Sequence, residues 1–293
     1  MSSTGSSSQV RPTRLLTHQE KLARVFEEEV YPLFGQKLAD LLMANLTLAR
    51  NGHVLQIGCG FGTTNTEILQ QTDADSRLIA VEATSTFVER ARANVAAEYL
   101  GRRVFFRAHN LEGKLPFAEN GFDCVVANIS LANMAAPGTL VSELVRVTKP
   151  GGELRLATPL AGTWREFLDV YSDVLVRLRK QGSAAALAAY AKSFPEPEAL
   201  AKQMEKAGLG PVTVETTHWE LVFRTGREFF YAPVIELGPL ARWKSIAGKG
   251  AEMQDIFLAV KEAIDTYFAG TGFGVSVVAG LFVGTKSAQL PER

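Results

Sequence analysis

Cysteine is nearly absent from this chain: Cys59 and Cys124 are the only two in 293 residues. They imply no disulfide framework, and neither their spacing nor nearby histidines suggest a zinc site, so no metal is expected and a reducing compartment, the cytoplasm, is the expected location. Excess positive charge is also missing. The 31 Lys and Arg residues balance 31 Asp and Glu, which leaves nothing to grip a phosphate backbone or an anionic membrane, and nucleic acid is not an expected partner. No apolar run reaches the roughly 20 residues that span a bilayer. The stretch FGVSVVAGLFVG, residues 273–284, reads instead as a buried strand. At the other end, MSSTGSSSQVRPTR lacks the apolar core of a signal peptide, and its Ser-rich composition makes residues 1–14 a disordered tail outside the fold. No Ser-His-Asp spacing, HExxH motif or paired carboxylates are visible, so hydrolytic and metal-dependent chemistry gain no support.

What is present is a regular alternation. Residues 15–52 carry apolar side chains at helical spacing, with a break near Pro32–Gly35 that predicts two N-terminal helices. From residue 53 to about 160, HVLQIG, RLIAVEA, RVFFRAHN, FDCVVANIS and ELRLATP read as strands, with helices between most of them and KPGG as a turn. Strands alternating with helices imply parallel βαβ units in an α/β fold, with helices on both faces of the sheet. Residues 161–293 are mainly helical, with late strands at 212–223 and 273–284 completing the sheet edge and the helices between them covering a pocket.

The chemistry concentrates in HVLQIGCGFGTTNTEIL, residues 53–69, a strand turning into a helix through Gly58, Gly60 and Gly62. Such a turn needs residues without Cβ atoms so that the backbone can bend sharply and lie against a ligand. Glu82 ends the second strand, 22 residues past Gly60, where a carboxylate can accept from both hydroxyls of a ribose. A dinucleotide fingerprint would place glycine at position 63; this chain has Thr63, which argues against an NAD or FAD enzyme.

Taken together, VLQIGCGFG, VEAT, LPFAENGFDCVVANISLANM and LVRVTKPGGELRLATP resemble, in order and spacing, the class I S-adenosylmethionine-dependent methyltransferases. The resemblance is to the small-molecule group that includes the ubiquinone/menaquinone and malonyl-carrier-protein methyltransferases, and it is best over residues 20–160. It implies a Rossmann-like, mainly parallel sheet of seven strands with helical lid insertions, and S-adenosylmethionine as cofactor. Gly58, Gly60 and Gly62 would line its methionine and ribose, Glu82 would hold the ribose, Ala83 would border the adenine, and Asn110 and Leu111 would form the adenine-side loop. Asn128 would sit beside the methionine moiety, Ile129 and Ser130 near the transferable methyl, and Asn133 and Met134 in the following loop. Two positions depart from the family pattern: Gln56 and Asn110 stand where acids are usual, keeping an acceptor oxygen and losing a charge. Restoring an acid at 56 should tighten binding if that side chain faces the cofactor's ammonium.

The resemblance implies methyl transfer to an oxygen or carbon of a small, apolar acceptor, free or carrier-bound. Its rival is a methyltransferase-like scaffold without turnover, favoured by Gln56 and Asn110. If a base is needed, His218, Tyr171, Tyr190 and Tyr231 are the candidates, with His218 reading first as a surface histidine. Trp164, Phe167 and Tyr171 recur at helical spacing; core packing is their ordinary meaning and a substrate lid the functional one. Nothing in the sequence fixes the oligomeric state.

Overall fold

The computed structural model describes residues 17–49, 51–111, 113–129 and 137–288. Within them the chain folds α1 (His18–Val25), α2 (Gly35–Met43), β1 (His53–Ile57), α3 (Thr63–Gln71), β2 (Arg77–Glu82), α4 (Ser85–Ala93) and β3 (Val104–Ala108). Then come β4 (Phe122–Asn128), α5 (Pro137–Val147), β5 (Thr148–Pro159), α6 (Arg165–Arg177), α7 (Gln181–Ala191), α8 (Pro197–Lys206) and β6 (Thr213–Phe223). The short helices α9 (Gly226–Tyr231), α10 (Pro233–Glu236) and α11 (Leu240–Ala247) lead to α12 (Gly250–Tyr267) and β7 (Phe273–Thr285).

The seven strands form one sheet in the order β3-β2-β1-β4-β5-β7-β6. β7 runs antiparallel to both β5 and β6, and the other pairings are parallel. Both faces are covered, which is why the central strands read as unbroken apolar runs. On β1 the alternation still shows: Val54 faces one core cluster, and Leu55 and Ile57 face the other. Chain direction across the sheet reverses at β1, between β2 on one side and β4 on the other. The crevice beyond the carboxyl ends of such strands is where open α/β sheets bind ligands.

Two local features differ from the sequence expectation. KPGG lies within the range of β5 and not before it: Thr148 pairs with Phe122 and Glu153 with Cys124, so the four residues between them bulge out of the ladder. The N-terminal break is longer than a Pro32–Gly35 kink, because a π-helical turn at Phe26–Val30 and a 3-10 turn at Tyr31–Leu33 separate α1 from α2. α2 itself is tied down by Arg155, a buried side chain on β5 that donates to the carbonyls of Leu42 and Ala44. A guanidinium satisfying the last carbonyls of a helix also opposes its negative pole.

Candidate cofactor site

The loop after β1 begins with the amides of Gly58 and Cys59, both donating to the Val81 carbonyl at 2.9 and 3.2 Å. It ends at Gly62, the left-handed residue (φ 79°) that precedes α3. Gly58 and Gly60 both have positive φ, 68° and 54°, for different reasons. A Cβ on Gly58 would sit 2.1 Å from the Asn128 carbonyl oxygen, so glycine there lets β1 and β4 close against each other. A Cβ on Gly60 would meet nothing nearer than the Tyr31 ring at 3.4 Å. Gly60 is therefore the open face of the loop.

Glu82 ends β2 directly under that face and is 8% exposed. Its carboxylate accepts from the Gly60 amide at 2.9 Å and from the Ala83 amide at 2.8 Å. Burial pushes its pKa above the ordinary carboxylate value, against the pull of the two amides. A carboxylate has about four acceptor positions, so two amide donors leave capacity for further hydroxyls. Across the cleft, Asn128 Nδ2 makes a long contact with the Gly35 carbonyl at 3.4 Å, and its buried Oδ1 finds no partner among the described residues. A buried acceptor without a partner among the described residues and a carboxylate with spare capacity, on either side of the Gly58–Gly62 loop, fit a ligand that brings both hydroxyl and ammonium donors.

Gln56 lines a small cavity beside Gly58 and Asn128, with both ends of its amide engaged by α3. The side chain is 3% exposed; Nε2 donates to the Thr64 hydroxyl and Oε1 accepts from Asn65 Nδ2 at 2.5 Å. The amide thus clasps the first turn of α3 to β1. Gln56→Glu is expected to bury a carboxylate and lower stability by about 1–3 kcal/mol. A carboxylate with a raised pKa destabilises only when ionised, so the loss should be larger at pH 8 than at pH 5; equal losses in thermal denaturation at the two values would contradict this placement.

Ala83 and Asn110 are exposed beside the cleft and Leu111 is buried; the backbone there is held by the His109 amide donating to the Glu82 carbonyl at 2.9 Å. Ile129 is buried, whereas Ser130, Asn133 and Met134 lie outside the described residues. The candidate bases fall elsewhere. His218 is exposed on the edge strand β6, and Tyr231 is 70% exposed on α9. The fully buried Tyr171 spends its hydroxyl on the Trp243 carbonyl at 3.1 Å, and burial raises its pKa. Tyr190 is also pushed up, to about 12, by burial.

The residue the sequence reading missed is Tyr31. Its hydroxyl meets that of Thr63 at 2.5 Å, and its ring packs edge-on against Phe61 of the glycine loop, 5.6 Å between centroids. With Ala39, Met43, Gln56, Gly58 and Asn128 it encloses a cavity of about 10 Å³, room for about one water. Phe26, on the same segment, packs on Phe61 and Phe87 and lines a separate groove of about 470 Å³ running along Thr84–Phe87. The Phe26–Leu33 segment thus stands between the cleft and the groove. The only signal for it was the Tyr-Pro pair ahead of Gly35.

Residues 55–156 match the family of methyltransferase domains. A demethylmenaquinone methyltransferase of Lactiplantibacillus plantarum is 31% identical over 112 residues, covering 38% of this chain and 47% of that one. A second, from Symbiobacterium thermophilum, is 27% identical over 187 residues, covering 59% and 72%. The chain spans about half the length of the first curated relatives it matches. A Bacillus halodurans protein superposes with a TM-score of 0.55 at 19% identity, covering 86% of this chain and 100% of that one. A phosphoethanolamine N-methyltransferase of Haemonchus contortus, solved with S-adenosylhomocysteine, gives 0.51 at 14%, covering 93% and 61%. The strand order, the glycine loop and the matched domain define the class I methyltransferase fold. Within residues 55–156 the chain is similar to methyltransferase domains, and over overlapping stretches to demethylmenaquinone methyltransferases.

Proposed function

We propose that this chain transfers a methyl group from S-adenosylmethionine to a carbon or oxygen of a small, apolar acceptor of the reduced-quinone type. The observation that carries the reading is the Glu82 carboxylate held on the Gly60 amide of the glycine loop, with Asn128 Oδ1, at the end of the neighbouring strand, without a partner among the described residues. The acceptor class rests on the relatives, which are demethylmenaquinone methyltransferases. Glu82 would hold the ribose hydroxyls, the open face at Gly60 would lie against the cofactor, and Asn128 would take the methionine ammonium. The Ala83, Asn110 and Leu111 surface would border the adenine. Bound there, the cofactor supplies a methyl group already activated on a sulfonium, which leaves the protein to align the acceptor and exclude water. This is compatible with His218, Tyr171 and Tyr231 lying away from the cleft. Calorimetry with S-adenosylhomocysteine, followed by a methyl-transfer assay on reduced naphthoquinones, tests the reading; a folded protein that binds the cofactor but methylates none of them would remove the acceptor assignment.

On this reading the Phe26–Leu33 segment, whose Tyr31 ring lies 3.4 Å from where a Gly60 Cβ would sit, shifts when the cofactor binds. Saturation with S-adenosylhomocysteine is expected to change amide hydrogen exchange across Phe26–Leu33 at least several-fold while leaving the central strands β1 and β4 as they were. An unchanged segment in a saturated protein would show that the cofactor enters by another route.

A further inference from the structure

Trp164 is out of character for a core residue. It is fully buried, yet its indole Nε1 has no hydrogen-bond partner among the described residues, whereas a buried tryptophan N–H usually finds one. The Trp243 indole also lacks a partner at bonding distance but lies beside the Tyr190 hydroxyl. Trp164 has the further peculiarity of a left-handed backbone, φ 64°, which costs a residue with a Cβ about 1–3 kcal/mol and persists only where its surroundings impose it. They do: the Trp164 amide donates to the Ser276 carbonyl and the Thr163 hydroxyl to the Val278 carbonyl, each at 2.8 Å. The loop after β5 is thus pinned to β7 with this indole fixed at the carboxyl end of the sheet.

That position is one layer beyond Asn128. Asn128 contacts the Gly35 carbonyl, and the preceding residue, Phe34, lies against Trp164 with centroids 6.2 Å apart and rings 18° from parallel. Phe34 directly follows the Phe26–Leu33 segment that covers the glycine loop through Tyr31.

On the methyl-transfer reading of the cleft, we propose that Trp164 is an acceptor-positioning residue. Its indole N–H donates to an oxygen on a flat ring, and that ring takes the place Phe34 holds against it. Trp243 packs edge-on against the same indole, so the acceptor is an aromatic or quinoid ring carrying a carbonyl or hydroxyl.

The test uses the full chain with ¹⁵N-labelled indoles, saturated first with S-adenosylhomocysteine and then titrated with 2,3-dimethyl-1,4-naphthoquinone. This probe carries two carbonyl oxygens and has no open ring position for thiol addition. The Trp164 indole signal, assigned by its loss in Trp164→Phe, is expected to move downfield. Trp164→Phe should bind the quinone about 10-fold more weakly with its S-adenosylhomocysteine affinity unchanged. Phe34→Ala, which keeps the indole, should bind the quinone more tightly, and this result stands even if Trp164→Phe does not fold. Failure of the quinone to bind the cofactor-loaded protein, equal binding by wild type and Trp164→Phe with an unmoved signal, or no gain in Phe34→Ala would each overturn the proposal. Failure of S-adenosylhomocysteine itself to bind would strike the cleft reading first and the proposal with it.

Discussion

Glu82→Ala is expected to weaken S-adenosylhomocysteine binding by at least about 100-fold, because hydrogen bonds to a charged group contribute about 1.5–3 kcal/mol each and two ribose hydroxyls lose theirs. The fold should lose far less. The carboxylate is 8% exposed, and the burial that raises its pKa is itself a destabilisation of the ionised side chain, so removing it relieves one penalty while freeing the Gly60 and Ala83 amides. The pH dependence separates binding from stability. Between the ordinary value of 4.5 and the raised folded value, the folded protein holds more protons on Glu82 than the unfolded chain does, so this group makes stability fall as pH rises through that window. Cofactor affinity should run the other way, since the ionised carboxylate is the form that accepts two hydroxyls, and should weaken as pH falls into the same window. Calorimetry across pH on wild type and Glu82→Gln checks this: the variant should lose the trend, and an unaltered trend would assign it to another group.

Gly58→Ala should be lost as a folded protein, whereas Gly60→Ala should fold and bind poorly. The added Cβ at 58 would lie 2.1 Å from the carbonyl oxygen of Asn128, a backbone atom that can move only by separating β1 from β4. Overpacking of that kind, added to a left-handed backbone, is expected to remove more than about 4 kcal/mol. At 60 the nearest atom belongs to the Tyr31 ring at 3.4 Å, so the strain is about 1–2 kcal/mol for a left-handed alanine. The methyl would still project from the open face of the loop. Urea denaturation of both variants, with S-adenosylhomocysteine titration of Gly60→Ala, gives the comparison; a stable Gly58→Ala would contradict the packing reason for that glycine.

The sheet was legible in the sequence because strands buried on both faces are written as continuous apolar runs, and HVLQI, FDCVVAN and the late FGVSVVAGLFVGT all fall where those runs lie. The place of Glu82 at the end of β2, against the Gly60 amide, was legible from its distance past the glycines, a spacing set by the length of one βαβ unit. Gln56 was legible as a departure and misleading in direction: its partners Thr64 and Asn65 come from the next helix turn, which a strand pattern does not reveal. The closure over the loop was hidden for a related reason. The π-turn at Phe26–Val30, which brings Tyr31 over Gly60, changes register without leaving a mark in the composition. Trp164 counted as a helical residue by spacing, but it is the left-handed residue before α6, placed by contacts with β7 more than 100 residues later.

The central claim is that Gly58–Gly62, Glu82 and Asn128 form a working S-adenosylmethionine site. Its most direct test is calorimetric titration of the ligand-stripped full chain with S-adenosylmethionine and S-adenosylhomocysteine, in wild type and Glu82→Ala. One-to-one saturable binding by the wild type, lost or strongly weakened in the variant, is the predicted result. A folded wild type that takes up neither ligand at millimolar concentration, or a Glu82→Ala protein that binds as tightly as wild type, would contradict it.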